Sequence, residues 1–279
     1  MSFFRVVLQG TLILSLLVGA IPSASAATLV NRYSFTANAD DTVGPAHGTL
    51  QGGATVSGGA VLLNGSSAFV DLPIGIIATL SIVTIETWLT DNGSGNWARI
   101  FDFGFSSAGE GAAGTGTNYL FVTPQSGSGV LQAGLIVNNL GGEQGVVWAG
   151  TRLPTGSQKH VVLTINAGAQ TVRLYVDGVL VGENAAFTLN PTQLGNTVNN
   201  WIGRSQWSGD AYLNASLNEF RIYDGALSAA EVQQNFTVGP DVALLSSPVS
   251  FLTQPQSQTV GELALTTFTT SFSGTPPVG

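Results

Sequence analysis

The chain is predicted to fold as an all-β, two-sheet antiparallel sandwich closed by one short helix near its C-terminal end. Three observations carry this. From Thr28 to Pro240 the sequence is a succession of about a dozen short β runs separated by glycine and asparagine. Within it, TVRLYVDGVLVG places Asp177-Gly178 as the two-residue turn that matches strand twist, with Val172, Leu174 and Val176 on one face. Finally, LNEFRIYDGALSAAEV joins a strand, an Asp-Gly turn and a capped helix.

In LNEFRIY the side chains alternate. Phe220 and Ile222 point to one side, predicted core, and Glu219, Arg221 and Tyr223 to the other, predicted polar. After Asp224-Gly225, Ser228 caps a helix whose third residue is Glu231, with Leu227 and Val232 placed to clip the entry. The remaining strand candidates are LVNRYSF, AVLLNG, AFVDL, SIVTIETWL, ARIFDFG, NYLFVT, VLQAGLIVN, HVVLTIN, VLVGEN and WIGRS. No internal repeat of fixed period is visible, which argues against a propeller or solenoid. A two-sheet jelly roll is the simplest arrangement.

The ends read differently. Residues 1–26 carry Arg5, an apolar run through Val18 and a small-x-small signal at Ala24-Ser25-Ala26, the pattern of a secretory signal peptide, so the mature protein is expected at the cell surface or secreted. After Pro240 a Ser-Ser-Pro linker leads to TQPQSQTV and TTFTTSFSGTPP, which resemble the first strands of bacterial immunoglobulin-like modules. Such a module needs about 100 residues, so 240–279 reads as a linker and the start of a truncated one, with further domains expected downstream.

Composition narrows the function. There is no cysteine, which excludes disulfides and a lipid-modified cysteine. Eight Lys and Arg, of which Lys159 is the single lysine, stand against sixteen acids, for a net charge of −8. A polyanion such as nucleic acid is disfavoured, because a phosphate backbone demands clustered cations. Neutral ligands or cations fit better.

Between residues 27 and 239 the chain resembles laminin G-like domains of the concanavalin A-like lectin/glucanase superfamily. LVNRYSF followed by ADDTVGPAHGTL resembles the opening strand and acidic loop of that family, AVLLNGSSAFVDLP its next hairpin, and SIVTIETWL the strand with a buried tryptophan, here Trp88. ARIFDFG, NYLFVTP, HVVLTINAGAQTVRLYVDGVLVG, WIGRSQW and the closing LNEFRIYDGALSAAEV continue in the same order. Two positions depart: Lys159 stands where the family usually has an aromatic, and Asn218 where it usually has aspartate. The resemblance implies one structural calcium ion held by Asp40, Asp41, Asn218 and Glu219, pinning the first loop to the last strand. The alternative for Asp40 and Asp41 is that they are turn residues bonding their own backbone.

For a carbohydrate ligand the candidates are Trp207 and Tyr212, in SQWSGDAY, and Trp97, in DNGSGNWAR, since a flat aromatic face suits the C–H face of a sugar ring. The alternative is semi-buried packing at sheet edges. Trp88 and Trp201, inside strands, are assigned to the core. Catalysis has little to stand on. Glu86 lacks a second carboxylate along its strand, whereas retaining glycosidases place two about 5 Å apart. His47 and His160 suggest no zinc set, no GxSxG is present, and Asp102 reads as an outward strand residue paired with Arg99 or Arg204. GAAGTGTN lacks the following helix that phosphate binding requires. The expected function is a secreted, non-catalytic carbohydrate-binding module of a larger extracellular protein. The alternatives are an adhesive spacer or an accessory domain of a secreted glycoside hydrolase.

Overall fold

The computed structural model describes residues 27–139 and 141–244, and the backbone of 250–253 and 271–273. Fifteen strands lie within 27–244: β1 Thr28–Tyr33, β2 Thr49–Gln51, β3 Thr55–Ser57, β4 Ala60–Asn64, β5 Phe69–Leu72, β6 Ile82–Asp91, β7 Phe101–Ser106, β8 Gly116–Thr123, β9 Gln132–Ile136, β10 Gln144–Val147, β11 Lys159–Asn166, β12 Thr171–Val176, β13 Val179–Asn184, β14 Asn199–Ile202 and β15 Asn214–Asp224. They form two antiparallel sheets. The first runs β13-β12-β11-β6-β15-β4-β3, with β1 also paired to β15, and the second runs β10-β9-β8-β7-β14-β5-β2. The architecture is the jelly-roll sandwich expected. β2, β3 and β10 have no counterpart among the expected strands, being only three or four residues long, too short for alternation to register.

The core lies between the sheets. Phe220 and Ile222 of β15 point into it, as their alternation requires, and Phe220 meets Phe101 edge-on at 5.8 Å and Phe103 at 6.2 Å, joining the first sheet to the second. Val172, Leu174 and Val176 are buried there too, and their hairpin turns through Asp177 and Gly178, both at positive φ.

The outer face of the first sheet is also buried. Helix α1, Ala229–Val238, starts on the Ser228/Glu231 capping box and packs Leu227 and Val232 against that face. Beneath it Glu86 is fully buried. It accepts from Tyr223 Oη (2.7 Å), Asn235 Nδ2 (3.0 Å) and Arg221 Nη1 (3.4 Å), with His160 Nε2 at 2.8 Å. Arg221 also bonds Glu219 at 2.6 Å and lies 4.6 Å from the Trp88 ring centre, and Trp88 stacks on His160 at 4.3 Å. Trp88 is thus buried as expected, but outside the sandwich core.

The chain beyond the helix stays attached. Arg221 Nη2 donates to the carbonyls of Pro240 and Val242, and Arg32 Nη2 to that of Asp241. The described chain is thus held against the first sheet as far as Val242. Of the expected immunoglobulin-like start, only an antiparallel pairing of β16 Ser250–Thr253 with β17 Ser271–Ser273 is described, and the rest lies outside the described residues, as does the expected signal peptide, residues 1–26.

Burial opposes the ionised form of Glu86, but the bond from His160, the neighbouring His160 and Arg221 side chains and the Tyr223 hydroxyl outweigh it and hold its pKa below the usual range. A depressed pKa contributes stability above the unfolded value and loses it as pH falls through the folded one. Glu86→Ala leaves Arg221 with Glu219 as its one carboxylate and takes the buried acceptor from Tyr223, Asn235 and His160, and is expected to cost about 3–5 kcal/mol at neutral pH. Chemical denaturation at neutral and acidic pH measures this, and the gap from the parent should narrow in acid.

Candidate functional site

The outer face of the second sheet carries a cross-strand row set by register: Asp71 of β5 opposite Trp201 of β14, then Asp102 of β7, Phe121 of β8 and Gly134 of β9. The strand NYLFVT alternates, so Leu120 and Val122 enter the core while Tyr119 and Phe121 point outward. Both rings are nevertheless buried, because glycines let them lie flat. A Cβ on Gly134 would meet Phe121 at 2.7 Å. One on Gly116 would meet Trp207 Nε1 at 2.5 Å.

Trp207 therefore rests on β8, where its Nε1 donates to Tyr119 Oη at 2.9 Å. Trp97 packs edge-on against Phe121 at 6.5 Å. The two indoles, both partly buried, flank one cluster of Tyr119, Phe121 and Ile136.

A buried ionic network holds both indole loops. Arg99, 2% exposed, donates from Nε to Asp102 (3.1 Å) and from Nη1 to the Trp97 carbonyl (3.1 Å), and its Nη2 lies 3.2 Å from Asp210. Its guanidinium sits 4.3 Å from the Phe121 ring centre. Asp210 accepts from Ser205 Oγ, which accepts from the Trp207 N–H at 3.1 Å, and Asp102 accepts from the Gln206 N–H at 3.1 Å. Trp97 itself has φ +62°, a left-handed conformation costly for a bulky side chain, and it is fixed by its N–H bond to the Gln125 carbonyl (2.8 Å) and by Arg99. Strain of this kind, about 1–3 kcal/mol, persists only where surrounding contacts over-determine it.

Tyr212 stands apart from that pair. It packs at 6.5 Å against Phe69 of β5, which meets Trp201 at 5.9 Å, and Arg204 lies over both Phe69 and Trp201. Trp201 was expected in the core. It is completely buried, but on this outer face, because its register neighbours Asp71 and Asp102 point away from the sandwich interior and Arg204 covers it. Tyr119, Phe121 and the supporting role of Asp210 were not singled out from sequence. The signal that could have found them is an aromatic pair alternating with aliphatic residues in one strand, next to the glycine-containing QAGLI and QGVV.

The four residues named for calcium do not converge. Both Asp41 oxygens are taken by donors: the N–H groups of Arg32, Val43 and Ala46 and the Asn31 amide, at 2.7–3.3 Å. Asp40 is exposed, bonded to Asn38 and near His47. Glu219 sits between Arg32 (2.5 Å) and Arg221, and the Asn218 oxygen accepts from Gln158. Among the described residues no group of three or more His, Asp or Glu side chains is set to hold a metal ion, and the carboxylates named do not fit one cation as they are bonded. Arg32 itself links the first loop to the last strand, its N–H on Asp41 and its guanidinium on Glu219.

A sequence profile of the concanavalin A-like lectin/glucanases superfamily, of laminin G type, matches residues 64–233, well over half of the chain. The protein belongs to that family. No curated protein matches it in sequence. Among solved structures, domain 4 of the extracellular GH43 arabinanase AbnA from Geobacillus stearothermophilus, in complex with arabinotriose, is similar at TM-score 0.61 and 20% identity, covering 75% of this chain and 98% of that domain. Trypanosoma rangeli sialidase in complex with sialic acid is similar at TM-score 0.56 and 15% identity, covering 75% of this chain and 32% of the sialidase. The binding domain of botulinum neurotoxin serotype C1 is similar at 0.55 and 14%, covering 76% of this chain and 52% of that one. At these identities the likeness is one of fold.

Asp102 is fully buried and its Oδ1 has no hydrogen-bond partner. Burial pushes its pKa up to about 6, against the charge of Arg99 and the bond from the Gln206 N–H. With the folded pKa above the unfolded one, the native state holds the proton between them, so this group's contribution falls as pH rises from about 4 to about 6. Asp102→Asn removes that slope. Its stability relative to the parent is expected to rise across the window, read by denaturant titrations at several pH values.

Proposed function

We propose that this chain is a secreted, non-catalytic carbohydrate-binding module of a larger extracellular protein, with its site at Trp97 and Trp207 on the outer face of the second sheet. The observation that carries the reading is Trp97 held at positive φ by the same buried network that fixes the loop of Trp207. Two partly buried indoles supported from beneath, on Phe121 and Tyr119, offer the flat apolar surface with polar edges that stacks on sugar rings. The arabinanase domain that resembles it over nearly its full length carries arabinotriose, which adds a neutral glycan to the candidates.

Binding rather than cleavage is the reading because the two fully buried acids of the outer faces, Glu86 and Asp102, are out of reach. Glu86 lies beneath α1 and Asp102 beneath the indole loops, both with no exposed surface. A general acid must come within hydrogen-bond reach of the bond it breaks.

Affinity gels cast with arabinan, xylan, galactan, mixed-linkage glucan, polygalacturonate or polysialic acid test this. The parent chain is expected to be retarded by at least one polymer. Trp207→Ala and Trp97→Ala should each abolish or sharply reduce the retardation, with the variants still folded by circular dichroism. Migration unaffected by every polymer would sink the proposal.

A further inference from the structure

The face described above has two aromatic stations and more acids than cations. Trp207 lies on β8 at Gly116 and Tyr119, whereas Tyr212 lies beside Phe69 of β5. Between β5 and β8 run β14 and β7, so the stations are three strand spacings apart, about 14 Å. The surface between them is the row of Trp201 and Asp102, covered by Arg204 and Arg99.

Of the two cations on this face, Arg99 is fully committed, and Arg204 lies flat on rings with its Nε buried and unpartnered. Arg99 is buried, with two carboxylates, the Trp97 carbonyl and the Phe121 ring taking its edge and face. Arg204 is spread over Trp201 at 4.1 Å and Phe69 at 4.8 Å, and its Nη1 donates to the Gly111 carbonyl. The other described cations, Arg32, Arg152, Lys159, Arg173 and Arg221, are ion-paired elsewhere. Acids outnumber the two arginines: Asp71, Asp102 and Asp210, with Glu110 acting on Asp71 and Glu143 acting on Tyr119. Glu143 sets its carboxylate over Gly134 and accepts from Gln132 at 2.9 Å. An anionic sugar would lose its hydration there among an excess of like charge, with only Arg204, held flat on Trp201 and Phe69, to meet it.

We infer that the face takes a neutral glycan chain several residues long, laid across β8, β7, β14 and β5 from Trp207 to Tyr212, and rejects sialylated or uronic-acid glycans. The inference rests on the carbohydrate-binding reading above and adds charge class and length. A single sugar ring reaches one station, whereas a chain engages both, and the second contact is made at the high effective concentration the first provides.

The test uses the full chain and the same polymers, followed by calorimetric titration with the mono- to pentasaccharides of whichever neutral polymer retards it. Expected are retardation by a neutral polymer, none by polygalacturonate or polysialic acid at low salt, and affinity rising about tenfold or more from the monosaccharide to the oligosaccharides long enough to span both stations. Tyr212→Ala should cut oligosaccharide affinity about tenfold and flatten its rise with chain length, with the variant still folded by circular dichroism. Phe69→Leu provides a second variant at the same station. Preferential retention by an acidic polymer, equal affinity for all lengths, or normal oligosaccharide binding by both variants would overturn the inference with glycan binding intact. A folded chain that no polymer retards overturns the carbohydrate-binding reading beneath it.

Discussion

Each sheet of this sandwich has to bury its outer face as well as its inner one, and in both cases a guanidinium laid on aromatic rings makes this possible. Arg221 covers Trp88 on the first sheet, and Arg99 and Arg204 cover Phe121 and Trp201 on the second. A guanidinium suits the position because its faces are weakly hydrated while its edge still offers directed donors. Those donors then decide what may lie on top. On the first sheet they hold Glu86, Glu219 and the chain leaving α1. On the second they hold Asp102, Asp210 and the carbonyl of Trp97.

Burying such groups is not the cheapest route to stability. Taking ions out of water costs several kcal/mol each, and well-packed apolar residues of similar volume commonly do as well or better. What apolar packing cannot supply is direction. Arg99 reaches two loops far apart in sequence, one carrying Trp97 and the other Trp207, and ties both to the same strand through Asp102. Indoles meant to present a face at a fixed angle need that restraint, since a loop held only by apolar contact can roll.

Much of this fold is legible in the sequence, because its signals are local. Asp177-Gly178 needs only its own two residues to turn, and Ser228 with Glu231 satisfies helix N–H groups within a single turn. Alternation in LNEFRIY separates Phe220 and Ile222 from Arg221 and Tyr223. It does not reveal that the second set is buried as well, since the burying group, Asn235 with its helix, arrives from later in the chain. The same limit explains Trp88 and Trp201: a strand pattern assigns two faces but cannot say which one the sandwich encloses when both are covered. The indoles at 97 and 207 could be picked out by their glycine-flanked loops. Their common support on Tyr119 and Phe121 could not, because it depends on the register of β7 against β8. For Asp40, Asp41, Asn218 and Glu219 the family resemblance says nothing of how each is bonded, since the partners of Asp41 are mostly backbone N–H groups, which a sequence pattern does not show.

The fastening of the chain just after α1 has a directional consequence. Ala27 at the start of the described fold and Ala243 near its end pack in one cluster with Val232 of the helix, on the outer side of the first sheet. The paired indoles lie on the outer side of the second. Entry and exit are therefore neighbours on one flank of a slab whose other flank bears the aromatic surface. Within the described residues, the chain thus enters and leaves on the flank turned away from the indoles, which stay clear of both ends.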